Sequence, residues 1–323
     1  MAFEASAAYV SWSKQLTQRI LITGSEGLIG RVVREDLTAH GYQVNGLDLR
    51  GLDGERGDVC NAAQVVDAVA SCDGVLHLAA VSRVVWGELD PEHCWATNVG
   101  GLCNVLEAAQ SNVRRHWVIF ASSREVYGQP ELLPATEDTP LAPVNVYARS
   151  KVEGERLVEL ARRSGLQTAV IRLSNVFGRS HDHADRVIPA FARAAVTGQP
   201  LRVDGPSHTF DFTHVEDVSR GIVSLIQRLT AGEDCSRPIH FVSGQATTLG
   251  ELAALAIEIA SSSSSVVTAP PRNFDVARFY GTHQRATTTL NWTPRVPLRN
   301  GLARLIADFQ LEASLPTSTL SAA

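Results

Sequence analysis

The chain has 323 residues, 44% hydrophobic and 20% charged, with a formal net charge of −5. That balance excludes a disordered or collagen-like chain, and the mild acidity gives no general grip on nucleic acid. The scattered cysteines Cys60, Cys72, Cys94, Cys103 and Cys235 suit neither a disulfide framework nor a zinc site. With no basic-then-apolar leader and no apolar run near the ~18 residues of a membrane span, the chain reads as cytoplasmic, with no membrane partner and no metal.

From residue 19 the pattern alternates between strand and helix. Residues 20–23 predict a strand running into glycines, 28–40 a helix closed by Gly41, and 43–49 a second strand. Residues 75–79 and 117–121 are unbroken apolar runs, as in parallel strands buried on both faces, with an amphipathic helix over 97–110 between them. A helix over 146–164, ended by Gly165, precedes a strand at 169–173. Repeated β–α units imply an α/β protein with a doubly wound parallel sheet and right-handed crossovers. Beyond residue 175 the pattern loosens into helices over 187–197, 215–229 and 249–259, a short strand at 200–203 and one more sheet strand at 239–242. The serine run 261–265 reads as a surface turn.

The first β–α turn, Thr23-Gly24-Ser25-Glu26-Gly27-Leu28-Ile29-Gly30, has the G-x-x-G-x-x-G spacing that lets backbone approach a pyrophosphate at a helix N-terminus. Asp48 ends the second strand, where a carboxylate accepts the ribose hydroxyls of NAD and repels a 2′-phosphate. The neighbouring Arg31 and Arg50 leave NADP open. Tyr147 and Lys151, four apart, share one helix face. Lys151 is one of only two lysines, with Lys14, in a chain that otherwise uses arginine. A phenol is too weakly acidic, near pKa ~10, to serve as a base at neutral pH unless a nearby cation stabilises the phenolate. Ser123 lies at the carboxyl end of a predicted strand, where it can hydrogen-bond a substrate oxygen beside Tyr147.

With these pieces in place the sequence resembles the extended short-chain dehydrogenases/reductases, of the NAD-dependent nucleotide-sugar epimerase/dehydratase type. The matching motifs are TGSEGLIG, LDLR, GDV, HLAA, TNVGG, ASSREVYG, VYARSK, RLSNVFG and DFTHVEDV, in family order over residues 19–310. The resemblance implies a Rossmann domain over 19–175, with 212–247 returning to it. It implies a smaller C-terminal α/β substrate domain from 176–211 and 248–310, a flexible tail at 311–323, and a homodimer. Its cofactor set would be Gly24, Gly27, Leu28, Ile29, Gly30, Asp48, Asp58 on the adenine edge, Val59, Leu78, Ala79, Ala80, Asn98, Tyr147 and Lys151. Ser123, Tyr147 and Lys151 would be catalytic. Ser82, Ser123, Arg124, Asn175 near the phosphates, and Arg272 as a diphosphate clamp, would hold a nucleotide sugar.

Two positions depart from the family pattern. The 4,6-dehydratases pair a glutamate, the C5 base, with a preceding acidic or small polar residue; here Glu125 matches the glutamate but Arg124 precedes it. A guanidinium delivers no proton at neutral pH. Phe210 stands where T-R-D-F members carry an arginine, which argues against decarboxylation and leaves Arg179, Arg186 or Arg278 as substitutes for the lost charge. The expected reaction is C4 epimerisation through a 4-keto sugar. The alternatives are dehydration with Glu125 as base, net oxidation or reduction of a smaller alcohol, and a dinucleotide sensor without turnover. The loop His181-Asp182-His183-Ala184-Asp185 reads as a polar substrate-side loop and not a metal site.

Overall fold

The computed structural model describes residues 18–314 except 53, 113–116 and 273; the start of the chain and residues 315–323 lie outside it. Its elements are β1 (Arg19–Thr23), α1 (Leu28–Ala39), β2 (Gln43–Leu47), α2 (Ala62–Ala70), β3 (Gly74–His77), α3 (Val84–Leu89), α4 (Pro91–Trp95), α5 (Gly101–Ser111), β4 (Trp117–Ser123), α6 (Val146–Arg163) and β5 (Gln167–Leu173). There follow β6 (Asn175–Phe177), α7 (Val187–Thr197), β7 (Leu201–Asp204), β8 (Thr209–Phe210), β9 (Phe212–His214), α8 (Val215–Thr230), β10 (Ile239–Phe241), β11 (Thr247–Thr248), α9 (Leu249–Ala260), β12 (Val266–Ala269), α10 (Gln284–Leu290) and α11 (Leu298–Ser314).

The strand order β10-β5-β4-β3-β1-β2 makes a six-stranded sheet in which every pair is parallel. Period-two alternation sends neighbouring side chains to opposite faces. Ile20, Ile22, Ile119 and Ile171 pack with α1 and α8, whereas Leu21, Val75, Val118, Phe120 and Val170 pack with α2, α5 and α6. Truncating any of these to alanine should cost about 2–5 kcal/mol. A separate apolar cluster joins Phe177, Phe191, Leu252, Leu305, Ile306 and Phe309 beneath α7, α9 and α11.

Several boundaries differ from expectation, and the differences shape the site. β2 stops at Leu47, because β1 ends opposite it at Thr23 and Gly24 N bonds Leu47 O at 2.9 Å. β3 stops at His77, so Asp48 and residues 78–80 fall in loops at the carboxyl edge. β4 runs two residues longer, to Ser123, because β5 stays in register with it as far as Leu173. The helix expected over 97–110 opens with a π-helical turn over Ala96–Gly100. Residues 311–314, expected to be frayed, continue α11; the remainder of that tail lies outside the described residues. Among the described residues no helix is long and apolar enough to cross a membrane.

Candidate active site

Gly24 turns the chain out of β1 with φ +72°. A Cβ there would lie 2.7 Å from Ala79 N, and one on Gly30 2.5 Å from Gly24 O, so only bare backbone fits this turn. Gly27 caps α1 with no side-chain hydrogen bond and no acidic residue follows in the first turn. By contrast, Asn61 caps α2 and Asn145 caps α6. An open helix N-terminus behind a close-approach glycine turn presents N–H donors and a positive dipole end to an anion, which fits a dinucleotide pyrophosphate.

Asp48 borders this cradle. Its carboxylate accepts Glu26 N at 3.0 Å and Arg50 N at 2.8 Å, and a carboxylate retains lone pairs beyond two such bonds. The arginines that left NADP open are both drawn to Glu26: Arg31 pairs with its carboxylate at 2.9 Å and Arg50 donates to its carbonyl at 3.0 Å. Asp58 accepts Cys60 N at 2.9 Å, and the neighbouring Val59 is buried. Leu78 N donates to Thr23 O and Ala79 N to Thr23 Oγ1, while Ile29, Leu78 and Ala80 line the cleft. Asn98 is buried, and its carboxamide accepts Val81 N at 2.8 Å and donates to Ser150 Oγ at 2.9 Å. Its amide fixes the loop after β3 to α6.

The cleft, about 390 Å³, opens along the carboxyl edge of the sheet. Ser82, Ser123, Arg124, Glu125, Tyr147, Lys151, Asn175 and Arg272 all line it. Lys151 Nζ donates to Ala121 O at 2.8 Å and lies 5.8 Å from the Tyr147 ring centre. Burial pushes the Lys151 ammonium down to about 8, against the opposing influence of Cys94 and Glu155. Burial pushes the Tyr147 phenol up to about 12, and a hydrogen bond with Ser123 and the Arg186 charge pull the other way. Ser123 Oγ also caps the short turn Arg124–Tyr127 by accepting Glu125 N at 3.2 Å.

Arg124 and Glu125 form a buried ion pair at 2.7 Å. The other oxygen of Glu125 accepts Asn145 Nδ2 at 3.0 Å, so both carboxylate oxygens are engaged by protein donors. The Arg124 Cζ lies 4.8 Å from the Phe210 ring centre, so the two departures from the family pattern are in contact.

Sequence reasoning did not single out Arg83 and gave His77 no role beyond its place in HLAA, whereas Asp182 belongs to the loop read as polar and substrate-side. Arg83 and Asp182 line the cleft, and Arg83 pairs with Asp185 at 2.9 Å. His77, at the end of β3, bonds Thr23 Oγ1 through Nδ1 at 2.8 Å, and burial followed by the Lys151 charge depresses it to about 3. Of the candidate replacement cations, Arg186 lines the cleft and donates to Ser82 Oγ at 3.2 Å, whereas Arg179 pairs with Glu216 at 3.2 Å. Arg278 joins Thr209 through a backbone bridge and is absent from the cleft lining. In the 181–185 loop, Asp182 accepts His183 N at 2.8 Å, and among the described residues no group of three His, Cys, Asp or Glu could hold a metal ion. The signal that could have found Arg83 is weak, because it depends on the loop's path across the sheet edge.

A parallel sheet with a glycine cradle, an acidic residue after its second strand and a serine–tyrosine–lysine group at one cleft define an α/β dinucleotide-dependent enzyme. The chain belongs to the NAD dependent epimerase/dehydratase family, which its residues 20–239 match, and whose cofactor is NAD. The family acts on nucleotide sugars. The chain is 29% identical to UDP-glucuronic acid decarboxylase 1 of Danio rerio, over 93% of this chain and 74% of that protein. It is 33% identical to dTDP-glucose 4,6-dehydratase of Streptomyces griseus, over 90% of this chain and 94% of that protein. The crystal structure of the UDP-glucose 4-epimerase of Thermus thermophilus, complexed with NAD, superimposes with a TM-score of 0.82, at 26% identity, over 90% of this chain and 99% of that one.

Proposed function

We propose that this chain interconverts the C4 epimers of a nucleotide-diphosphate sugar through a transient 4-keto sugar. Tyr147 takes the O4 proton and later returns it, Ser123 holds O4 by a hydrogen bond, and the Lys151 cation supports the phenolate. Bound NAD supplies a reversible two-electron acceptor at C4. The glycine turn and the open end of α1 would hold its pyrophosphate, Asp48 its ribose and Asp58 its adenine edge. Asn175, Arg272, Arg83 and Arg186 would hold the substrate diphosphate. The same reading has the chain acting as a homodimer, which sedimentation velocity tests.

One observation favours epimerisation over elimination. Glu125, the residue that would take a C5 proton, has one oxygen on Arg124 at 2.7 Å and the other on Asn145 at 3.0 Å. The carboxylate is directed onto these two protein donors, and its neighbour has no proton to give a leaving hydroxyl. The test is replacement of Glu125 by Gln. Epimerisation should persist with kcat reduced by no more than about tenfold, equivalent to about 1.4 kcal/mol; loss of all turnover in a variant that keeps its far-UV circular dichroism and its NAD binding would assign Glu125 to the chemistry and favour a dehydratase.

A further inference from the structure

Arg124 has more donor capacity than the protein satisfies. It follows Ser123 at the end of β4, its side chain is nine-tenths buried, and it lines the catalytic cleft. One side of the guanidinium is fixed by the 2.7 Å pair with Glu125, and its Cζ lies 4.8 Å from the Phe210 ring centre and 5.9 Å from that of Phe279. Nη1 is buried without a hydrogen-bond partner. Buried donors are seldom left unpaired, and a guanidinium keeps its charge at any pH a protein survives. The negative charge that faces it is also shared, since Asn145 takes the second oxygen of Glu125.

The diphosphate has other cations. Arg83, Arg186 and Arg272 all line the cleft, and burial first, then the charges of Arg186 and Arg272, depress Arg83. Arg124 belongs instead to the end of the cleft where Ser123 and Tyr147 meet the sugar. Ser123, Arg124 and Tyr147 line the same cleft, which puts the guanidinium within reach of a substituent on a ring carbon next to the C4 whose oxygen Ser123 holds. Of those substituents, the exocyclic group on C5 is the one that carries an anion in an oxidised hexose. An anion there adds an ion pair to the guanidinium's hydrogen bond, which a neutral hydroxyl or amide cannot.

We propose that Arg124, backed by Phe210, reads a carboxylate on the sugar, so that the preferred substrate is a nucleoside-diphospho-uronate. This rests on the C4-epimerase reading for the placement of O4. The test uses the full chain with NAD and offers UDP- and dTDP-linked glucuronate, glucuronamide and glucose. Calorimetric binding and kcat/KM should favour the acid over its neutral amide by about tenfold, the yield of one charge-assisted bond. Arg124→Met should bring the acid-to-amide ratio near unity. The acid–amide comparison on the unaltered protein stands even if that variant fails to fold. A neutral sugar bound as well as the acid, no binding of the acid in either nucleotide form, or a variant that weakens acid and amide by the same factor overturns the inference. Acid preference with a product lighter by carbon dioxide keeps Arg124's role and instead removes the epimerase reading. Epimerisation of neutral sugars alone keeps that reading and removes the acid preference.

Discussion

Tyr147 occupies a site that works against its own ionisation. Burial raises it to about 12 while Ser123 and Arg186 pull it down, so the phenol of the free chain is protonated at neutral pH. Its value as a base therefore depends on what enters the cleft beside it. Replacement of Tyr147 by Phe should lower kcat by about 10²–10⁴ while leaving the fold intact, as stopped-flow kinetics and far-UV circular dichroism would show. Glu125 bears on stability as well. The Gln variant leaves a buried guanidinium without its anion, a loss of about 3–5 kcal/mol that thermal unfolding would register. The spacing Tyr147–Lys151 and the position of Ser123 were legible from residues alone, because helical and strand periods fix which side chains share a face. The Arg124–Phe210 contact was not legible, since it forms only when β8 comes against the turn after β4.

The sheet edge as an element explains why these residues meet. Glycine-turn geometry at Gly24 is dictated by φ +72° and by Ala79 N at 2.7 Å from any Cβ. Gly24→Ala should therefore abolish NAD binding before it abolishes folding, with calorimetric affinity falling while far-UV circular dichroism is retained. Beneath the cleft, β4 and β5 are tied by a buried polar network. Arg172 bonds Glu155 at 2.6 Å, the Tyr127 hydroxyl at 2.7 Å and Glu137 O at 2.7 Å, while Ser122 Oγ donates to Glu155 at 2.5 Å. Removing one partner of a buried ion pair strands the other, so Glu155→Gln should cost about 3–5 kcal/mol in denaturant unfolding. This network escapes sequence reading because its members come from β4, α6, β5 and the loop before α6, with no local spacing to join them. Strand ends at Leu47 and His77 were misjudged for a related reason: hydrophobicity continues past the point where the partner strand stops. The motif DFTHVEDV was visible, but its work is partly architectural. Asp211 accepts Ser243 N and Gly244 N, each at 2.8 Å, and Asp217 accepts Val296 N at 2.9 Å.

Over the whole molecule, buried histidines set a pH dependence. Burial holds His77 near 3 and His240 near 4, His77 beside the Lys151 charge and His240 among Glu137, Arg172 and Arg285. Both are neutral in the folded chain and ordinary histidines, near 6.5, when unfolded. The unfolded chain thus binds more protons as pH falls below about 6.5, so stability is complete above that value and is lost progressively toward pH ~3–4. The melting temperature should drop across this window, and less steeply in His77→Gln. Incubation of the NAD-loaded protein in D2O with UDP-, dTDP- and GDP-sugars, read by proton NMR and mass spectrometry, distinguishes epimerisation from elimination. The expected product is a C4 epimer of unchanged mass, with no deuterium at C4 or C5. Loss of water with deuterium taken up at C5 would contradict the C4-epimerase reading and make Glu125 the base of a dehydratase.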